Sequence, residues 1–179
     1  MSEKEKIIIG RNELVDLLRY ARRQVPAKID TGADSSSIWV SHVRVDKDGV
    51  LRFSLFGEGS PFYNGKTIKR ENYGAAMVRS ATGHQQIRYR TQLTLRLGGK
   101  RIRTTFNLSD RSQNKFPVLI GRRTISGKFV VDVSQSKYDD EKRVFATETQ
   151  SLNKELQVNP YEFYKKHYKQ FGVSLRKKS

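Results

Sequence analysis

The sequence predicts a mainly β protein: one domain of short strands forming a small barrel or sandwich, followed by a C-terminal helical extension. Three observations predict this. Ile87, Tyr89, Leu93, Leu95 and Leu97 are apolar at period two, Gly98-Gly99-Lys100 turns the chain, and Ile102, Thr104, Phe106 and Leu108 alternate back, the pattern of a half-buried hairpin. Turn-forming residues punctuate residues 5–135 at short intervals, as in all-β domains. Asn159-Pro160 then precedes Tyr161, Tyr164, Tyr168 and Phe171 at three- and four-residue spacing, with Gly172 after them. That is an N-cap, a proline at the first helical position, an aromatic stripe and a stop.

The other elements follow in order. Ile7-Ile8-Ile9 reads as a strand ended by Gly10, and Asn12 as the cap of a short helix carrying Leu14, Val15, Leu17 and Leu18. Pro26 precedes a strand, Ala27-Lys28-Ile29, that delivers Asp30. Ile38, Val40, Val43 and Val45 suggest the next strand, and Asp46-Lys47-Asp48-Gly49 a hairpin turn into Val50, Leu51, Phe53 and Leu55. Gly57-Glu58-Gly59-Ser60-Pro61 is a loop. Phe116-Pro117-Val118-Leu119-Ile120 is a short buried strand ended by Gly121, and Phe129-Val130-Val131-Asp132-Val133 is another. The domain therefore spans 5–135. Residues 136–158 are polar and weakly patterned, a linker. The helix covers 159–172 and a basic tail 173–179.

Composition narrows the function classes. The 179 residues carry a net charge of +17 and no cysteine, which excludes disulfide staples and thiolate metal sites. No apolar run nears the roughly 18 residues of a membrane span, and Met1–Lys6 lacks a secretory pattern, so a cytoplasmic location and no membrane partner are expected. No acidic residue falls between Glu71 and Asp110, where Arg79, Arg88, Arg90, Arg96, Lys100, Arg101 and Arg103 lie. Such a stretch suits an acidic partner: an acidic peptide, a ribosomal surface or nucleic acid.

The chemistry centres on Asp30-Thr31-Gly32-Ala33, a carboxylate on a tight turn after a strand. Two carboxylates held close share one proton. The ionised member can take a proton from water while the protonated member supports a developing oxyanion, which suffices for peptide hydrolysis. Gly32 would let backbone approach the carboxylates, Thr31 offers a hydroxyl to lock the turn to its partner, and Ala33 is small enough for a crowded interface. No second Asp-Thr-Gly or Asp-Ser-Gly occurs. The chain thus carries half of such a site and needs a second copy for the rest.

Val118-Leu119-Ile120-Gly121-Arg122 follows downstream, and the pair of motifs resembles the retropepsin-like aspartic proteases. The resemblance implies a single-domain acid-protease barrel active as a homodimer, with Asp30, Thr31 and Gly32 as catalytic elements. It implies that the apolar-apolar-Gly-Arg element, Gly121 and Arg122, packs under the active-site loop, with Arg122 paired to Asp34. It also implies a flap, whose candidate tip is Thr82-Gly83-His84, between Val78-Arg79-Ser80 and Ile87-Arg88-Tyr89. Ala33, Asp34 and Gly83 would then face substrate, and Arg79 and Arg88 would attract an acidic one.

Most of residues 6–138 resembles, more narrowly, the bacterial RimB-like group. The matching segments are Ile9–Val15, Ala27–Ala33, Arg79–Gly83, Leu97–Gly99, Asn107–Arg111, Pro117–Arg123 and Phe129–Val133. The group often bears the label "ATP-dependent zinc protease" and is associated with RimK-type glutamate ligases, which implies trimming of glutamate tails on a ribosomal protein. Position 34 departs from that group in being Asp where it has Arg, and the tail from about Gln135 has no counterpart there. The zinc label finds no support in His42, His84 and His167, which are widely spaced without His-Glu-x-x-His. Gly98-Gly99-Lys100 lacks the spacing of a phosphate-binding loop. No metal or cofactor is expected. The alternative reading is a non-catalytic module of the same scaffold that docks on RNA or the ribosome through its basic surface.

Overall fold

The computed structural model describes residues 5–21, 23–79, 85–138 and 142–167. The chain divides after Tyr138 into two compact units. Among the described residues the first holds eleven strands and one short helix: β1 Ile7–Gly10, β2 Asn12–Val15, β3 Val25–Asp30, β4 Ser36–Val45, β5 Leu51–Leu55, β6 Thr67–Arg70, β7 Gly74–Arg79, β8 Gln85–Leu97, β9 Lys100–Ser109, β10 Val118–Gly121, α1 Arg122–Ile125 and β11 Phe129–Asp132. The mainly β expectation is borne out.

The barrel is not a closed one. Nine strands form one sheet in the order β2-β3-β10-β4-β9-β8-β7, with β5 and β6 branching from β4, while β1 and β11 form a separate parallel pair. An isolated bridge joins the end of β2 to β8: Asp16 N–H donates to the Arg96 carbonyl at 3.1 Å and Arg96 N–H returns to the Asp16 carbonyl at 2.8 Å. The sheet therefore rolls up and is pinned at one point.

The β8–β9 hairpin is as the alternation predicts, Leu97 opposite Lys100. Gly98 and Gly99 take φ of +52° and +79°, the sign that two-residue hairpin turns favour. Gly98 also packs tightly: a Cβ there would lie 3.1 Å from both Ile9 and Phe129, so the turn seats on the β1–β11 pair. Leu93, Leu95 and Leu97 are buried with Phe53, Phe56, Phe106, Ile38 and Ile120. Ile87, on the same alternation, is 72% exposed, because the β7–β8 hairpin extends past the core.

The helix expected after Asn12 is instead β2. Glu13, Val15 and Leu17 are buried at period two, and β2 pairs antiparallel to β3 with Asn12 opposite Lys28. Asn12 is a buried acceptor: its Oδ1 takes the N–H groups of Lys137 and Tyr138 at 3.1 and 2.8 Å. Glu13 is buried too, taking the Gly10 N–H at 2.8 Å and pairing with Lys137 at 3.1 Å. β3 begins at Val25, so Pro26 lies inside it; the ladder to β10 starts only at Ala27, where no N–H of Pro26 is required.

In the second unit, the expected linker contains α2, Lys142–Val158, followed by α3, Pro160–His167. Asn159 caps α3 as predicted, its Oδ1 accepting the Glu162 N–H at 3.1 Å. Glu155 bonds both Lys166 and His167, at 2.7 and 3.3 Å. Eleven residues along a straight helix span about 16 Å, so the chain bends sharply at Asn159-Pro160. Tyr161 and Tyr164 are exposed; Tyr168, Phe171 and Gly172 lie outside the described residues. No described helix is long and apolar enough to cross a membrane.

Candidate active site

β10 is the strand that builds the site. It runs parallel to β3, with Gly121 level with Asp30, and antiparallel to the start of β4, with Val118 opposite Ile38. The loop of residues 31–35 must therefore leave β3, pass over the end of β10 and enter β4 on its far side. Gly121 makes this crossing possible. A Cβ there would lie 2.5 Å from the Ser35 carbonyl carbon and 2.9 Å from the Ala33 oxygen, contacts no side chain can make.

The loop is held from below by backbone and hydroxyl groups. Arg122 N–H donates to the Ala33 carbonyl at 2.8 Å and Arg123 N–H to that of Asp34 at 3.3 Å. Gly121 N–H donates to Ser36 Oγ at 3.1 Å. The Ser36 hydroxyl is 2.8 Å from that of Thr124, which is 2.8 Å from that of Thr104. Asn107 donates to Ser35 Oγ at 2.8 Å, and the Ser37 and Ser109 hydroxyls meet at 2.9 Å. From sequence, Ser36, Thr104, Asn107, Ser109 and Thr124 have no role at the site, although Thr104 falls in the hairpin alternation and Asn107 and Ser109 in a matched segment. The unbroken Ser35-Ser36-Ser37 after the Asp turn was the available signal, since buried hydroxyls need partners.

Asp30 stands at the end of β3 with its side chain 26% exposed. Its Oδ1 accepts the N–H groups of Gly32 and Ala33 at 3.1 and 3.0 Å, which fixes the carboxylate by its own turn. Oδ2 lies 3.7 Å from Lys28 Nζ. Thr31 and Gly32 are exposed. A Cβ at Gly32 would meet nothing closer than Asp30 Oδ1 at 3.5 Å, so within one chain nothing crowds this glycine.

Asp34 pairs with two arginines: Oδ1 with Arg122 Nε at 3.1 Å and Oδ2 with Arg123 Nη2 at 2.6 Å. This is the Asp34–Arg122 contact implied by the motifs, with Arg123 added. Above the loop a cavity of about 1000 Å³ opens between Gly32–Ser37 and the β7–β8 hairpin. Arg88 lines it, opposite Ala76 on β7. Arg79 ends β7 opposite Gln85. Gly83 lies outside the described residues, as does the rest of the hairpin's connection. Arg111, which the sequence offers only as the end of the matched segment Asn107–Arg111, also lines the cavity and donates its Nε–H to the Phe116 carbonyl at 3.1 Å. Burial holds its guanidinium below the usual arginine range, Arg88 acts in the same direction, and Asp30 opposes them.

Among the described residues no three His, Cys, Asp or Glu side chains converge as metal ligands, so the donor set for a resident zinc ion is not assembled there.

A carboxylate turn clasped by a strand and glycine beneath it, under a two-stranded hairpin, defines the aspartic-protease-like class of fold. Residues 8–142 match the RimB-like family, described as retropepsin-like aspartic endopeptidase RimB, and the chain belongs to that family. Two curated relatives are each named "Probable alpha-L-glutamate ligase": one from Shewanella pealeana, 28% identical, and one from Shewanella halifaxensis, 29% identical, each over 140 residues and 73% of this chain. The chain spans only 29% of the length of either relative. A crystal structure of a Legionella pneumophila protein of unknown function superposes with a TM-score of 0.58 at 25% identity, covering 74% of this chain and 97% of that one.

Proposed function

We propose that two copies of this chain form an aspartic peptidase, one Asp30 from each supplying the pair of carboxylates. The observation that carries the reading is the half-built turn: a carboxylate fixed by two N–H groups, flanked by exposed Thr31 and Gly32. The space left open over Gly32 is where a partner's turn would approach. The ionised carboxylate takes a proton from water, the resulting hydroxide adds to the peptide carbonyl, and the protonated carboxylic acid supports the oxyanion. Breakdown of the tetrahedral adduct breaks the C–N bond and passes the proton to the leaving amine.

The substrate in this reading is an acidic peptide or protein met in the cytoplasm, with the glutamate-rich tail of a ribosomal protein as the leading candidate. The basic stretch from Arg79 to Arg103 and the relatives named as glutamate ligases support that choice.

The test compares wild type with Asp30→Asn on a mixed peptide library and a glutamate-tailed peptide, with oligomeric state followed by light scattering. Cleavage by a dimer, lost in Asp30→Asn with folding intact, is expected. Cleavage retained by a clean Asp30→Asn preparation, or carried out by a monomer, overturns the reading. The net charge of +17 favours one alternative, a non-catalytic module docking on RNA or the ribosome; salt-dependent RNA binding without cleavage would be its mark.

A further inference from the structure

Arg111 is placed in a way its sequence context does not require. It follows β9 at the wall of the large cavity, and its Nε–H is tied to the Phe116 carbonyl. That bond anchors the guanidinium, and among the described residues its terminal nitrogens meet no acceptor, which leaves them to take another. Asp30 acts on Arg111 through space, with its Oδ1 held by its own turn, and two other acids are engaged elsewhere. The Asp110 carboxylate takes the Ser112 N–H at 2.8 Å, and the Ser112 bonds hold it below the ordinary carboxylate range. Asp34 is committed to Arg122 and Arg123.

Three cations line this cavity together, and the carboxylate that acts on Arg111, that of Asp30, does so from beyond ion-pair distance. Arg88 lines the same cavity, half-buried, its Nε–H donating to the Gln86 amide oxygen at 3.0 Å. Arg90 lies two residues on, so strand alternation puts it on the same face of β8 as Arg88, and it too lines the cavity. Among the described residues none of the three has a carboxylate at ion-pair distance. Burial and the charge of Arg88 both weigh against the Arg111 guanidinium, and a bound anion would relieve that. A guanidinium with its Nε anchored presents a planar fork, which matches a carboxylate and not a point acceptor.

We propose that Arg111 and Arg88 form a carboxylate-binding subsite that selects an acidic side chain of the peptide beside the Asp30 turn. The proposal rests on the reading of this cavity as the substrate cleft and names residues that decide its specificity. Arg111 is the specificity-determining member, since its guanidinium is anchored and partly desolvated. Arg88 is the outer, adjustable one.

The experiment separates binding from hydrolysis. Fluorescein-labelled tetraglutamate and tetraglutamine peptides are titrated into the full-length Asp30→Asn protein and followed by anisotropy. The glutamate peptide should bind at least about tenfold more tightly, the scale of one charge-assisted pairing. Arg111→Met in that background should remove most of the preference, and Arg111→Lys should restore only part of it, because the charge returns without the fork. Arg88→Met, a change at a side chain with solvent access, should weaken the glutamate peptide several-fold without affecting folding. Arg96→Gln, which removes an exposed charge outside the cavity, should leave the preference within about twofold. Equal binding of the two peptides overturns the proposal. So does a preference that survives both Arg111→Met and Arg88→Met, or one that Arg96→Gln lowers equally. A preference that depends on Arg111, in a protein whose wild type cleaves nothing, would support the subsite and defeat the peptidase reading.

Discussion

Gly121 stands level with Asp30 across the parallel β3–β10 ladder, and its Cα lies directly beneath the loop that Asp30 begins. The Asp30 turn and the glycine that makes room for it are thus neighbours in space, though 91 positions apart in sequence (121 minus 30).

Gly121→Ala should consequently injure both stability and site. The added methyl would lie 2.5–2.9 Å from backbone atoms of Ser35 and Ala33, which cannot rotate away. Overpacking of this kind costs about 1–3 kcal/mol. Urea unfolding should show the loss. Peptide cleavage, where wild type cleaves, should fall further than stability alone accounts for, because the displaced atoms belong to the Asp30 loop.

Thr124→Val tests the hydroxyl network. Thr124 is buried and shares hydrogen bonds with Ser36 and Thr104. Valine keeps the shape but leaves two hydroxyls short of a partner, a loss of about 1–3 kcal/mol. Thr124→Ser should retain most of the stability. If valine were as stable as wild type by chemical denaturation, the network would not be what holds the loop.

Asp34→Asn should matter less than its two close arginines suggest. Asp34, Arg122 and Arg123 are all largely exposed, and exposed pairs contribute at most about 1 kcal/mol, screened by salt. The loop keeps its backbone bonds to Arg122 and Arg123 in any case. Thermal melts at low and high salt should show a small difference that salt erases.

Asp132 adds a pH dependence. Its carboxylate accepts from the Ser134 hydroxyl and N–H and from Gln135, and these bonds lower its pKa from the ordinary 3.8. The unfolded chain then binds this proton at higher pH than the folded one. The stabilisation is fully present above the ordinary carboxylate value and is lost as pH falls through the lowered folded value. Wild type should exceed Asp132→Asn in stability at neutral pH, and the gap should narrow steadily in acid. A gap independent of pH in urea titrations would show that the charge is not responsible.

Much of this was legible locally. The β8–β9 hairpin could be read from alternation and a Gly-Gly turn, because side-chain direction in a strand depends only on parity. Asp30-Thr31-Gly32-Ala33 and Val118–Arg122 marked the two halves of the loop support. Asn12 was misread because an Asn before Leu14, Val15, Leu17 and Leu18 suits either a helix cap or a strand. The choice fell to the edge of β3 and to the Lys137 and Tyr138 N–H groups, 125 and 126 positions away. Residues 142–158 lack a clear apolar period, yet form a helix, after which the chain bends at Asn159-Pro160.

By itself the sequence determined the chemistry on offer: a single carboxylate turn, an excess of cations, a glycine before an arginine pair and no cysteine. Tertiary structure decided what those groups meet. It placed β10 between β3 and β4, so that Gly121 lies under the Asp30 loop, and brought Arg111 to the cavity wall beside Arg88. Those encounters join residues tens of positions apart, and they depend on strand order and register, which no local pattern encodes.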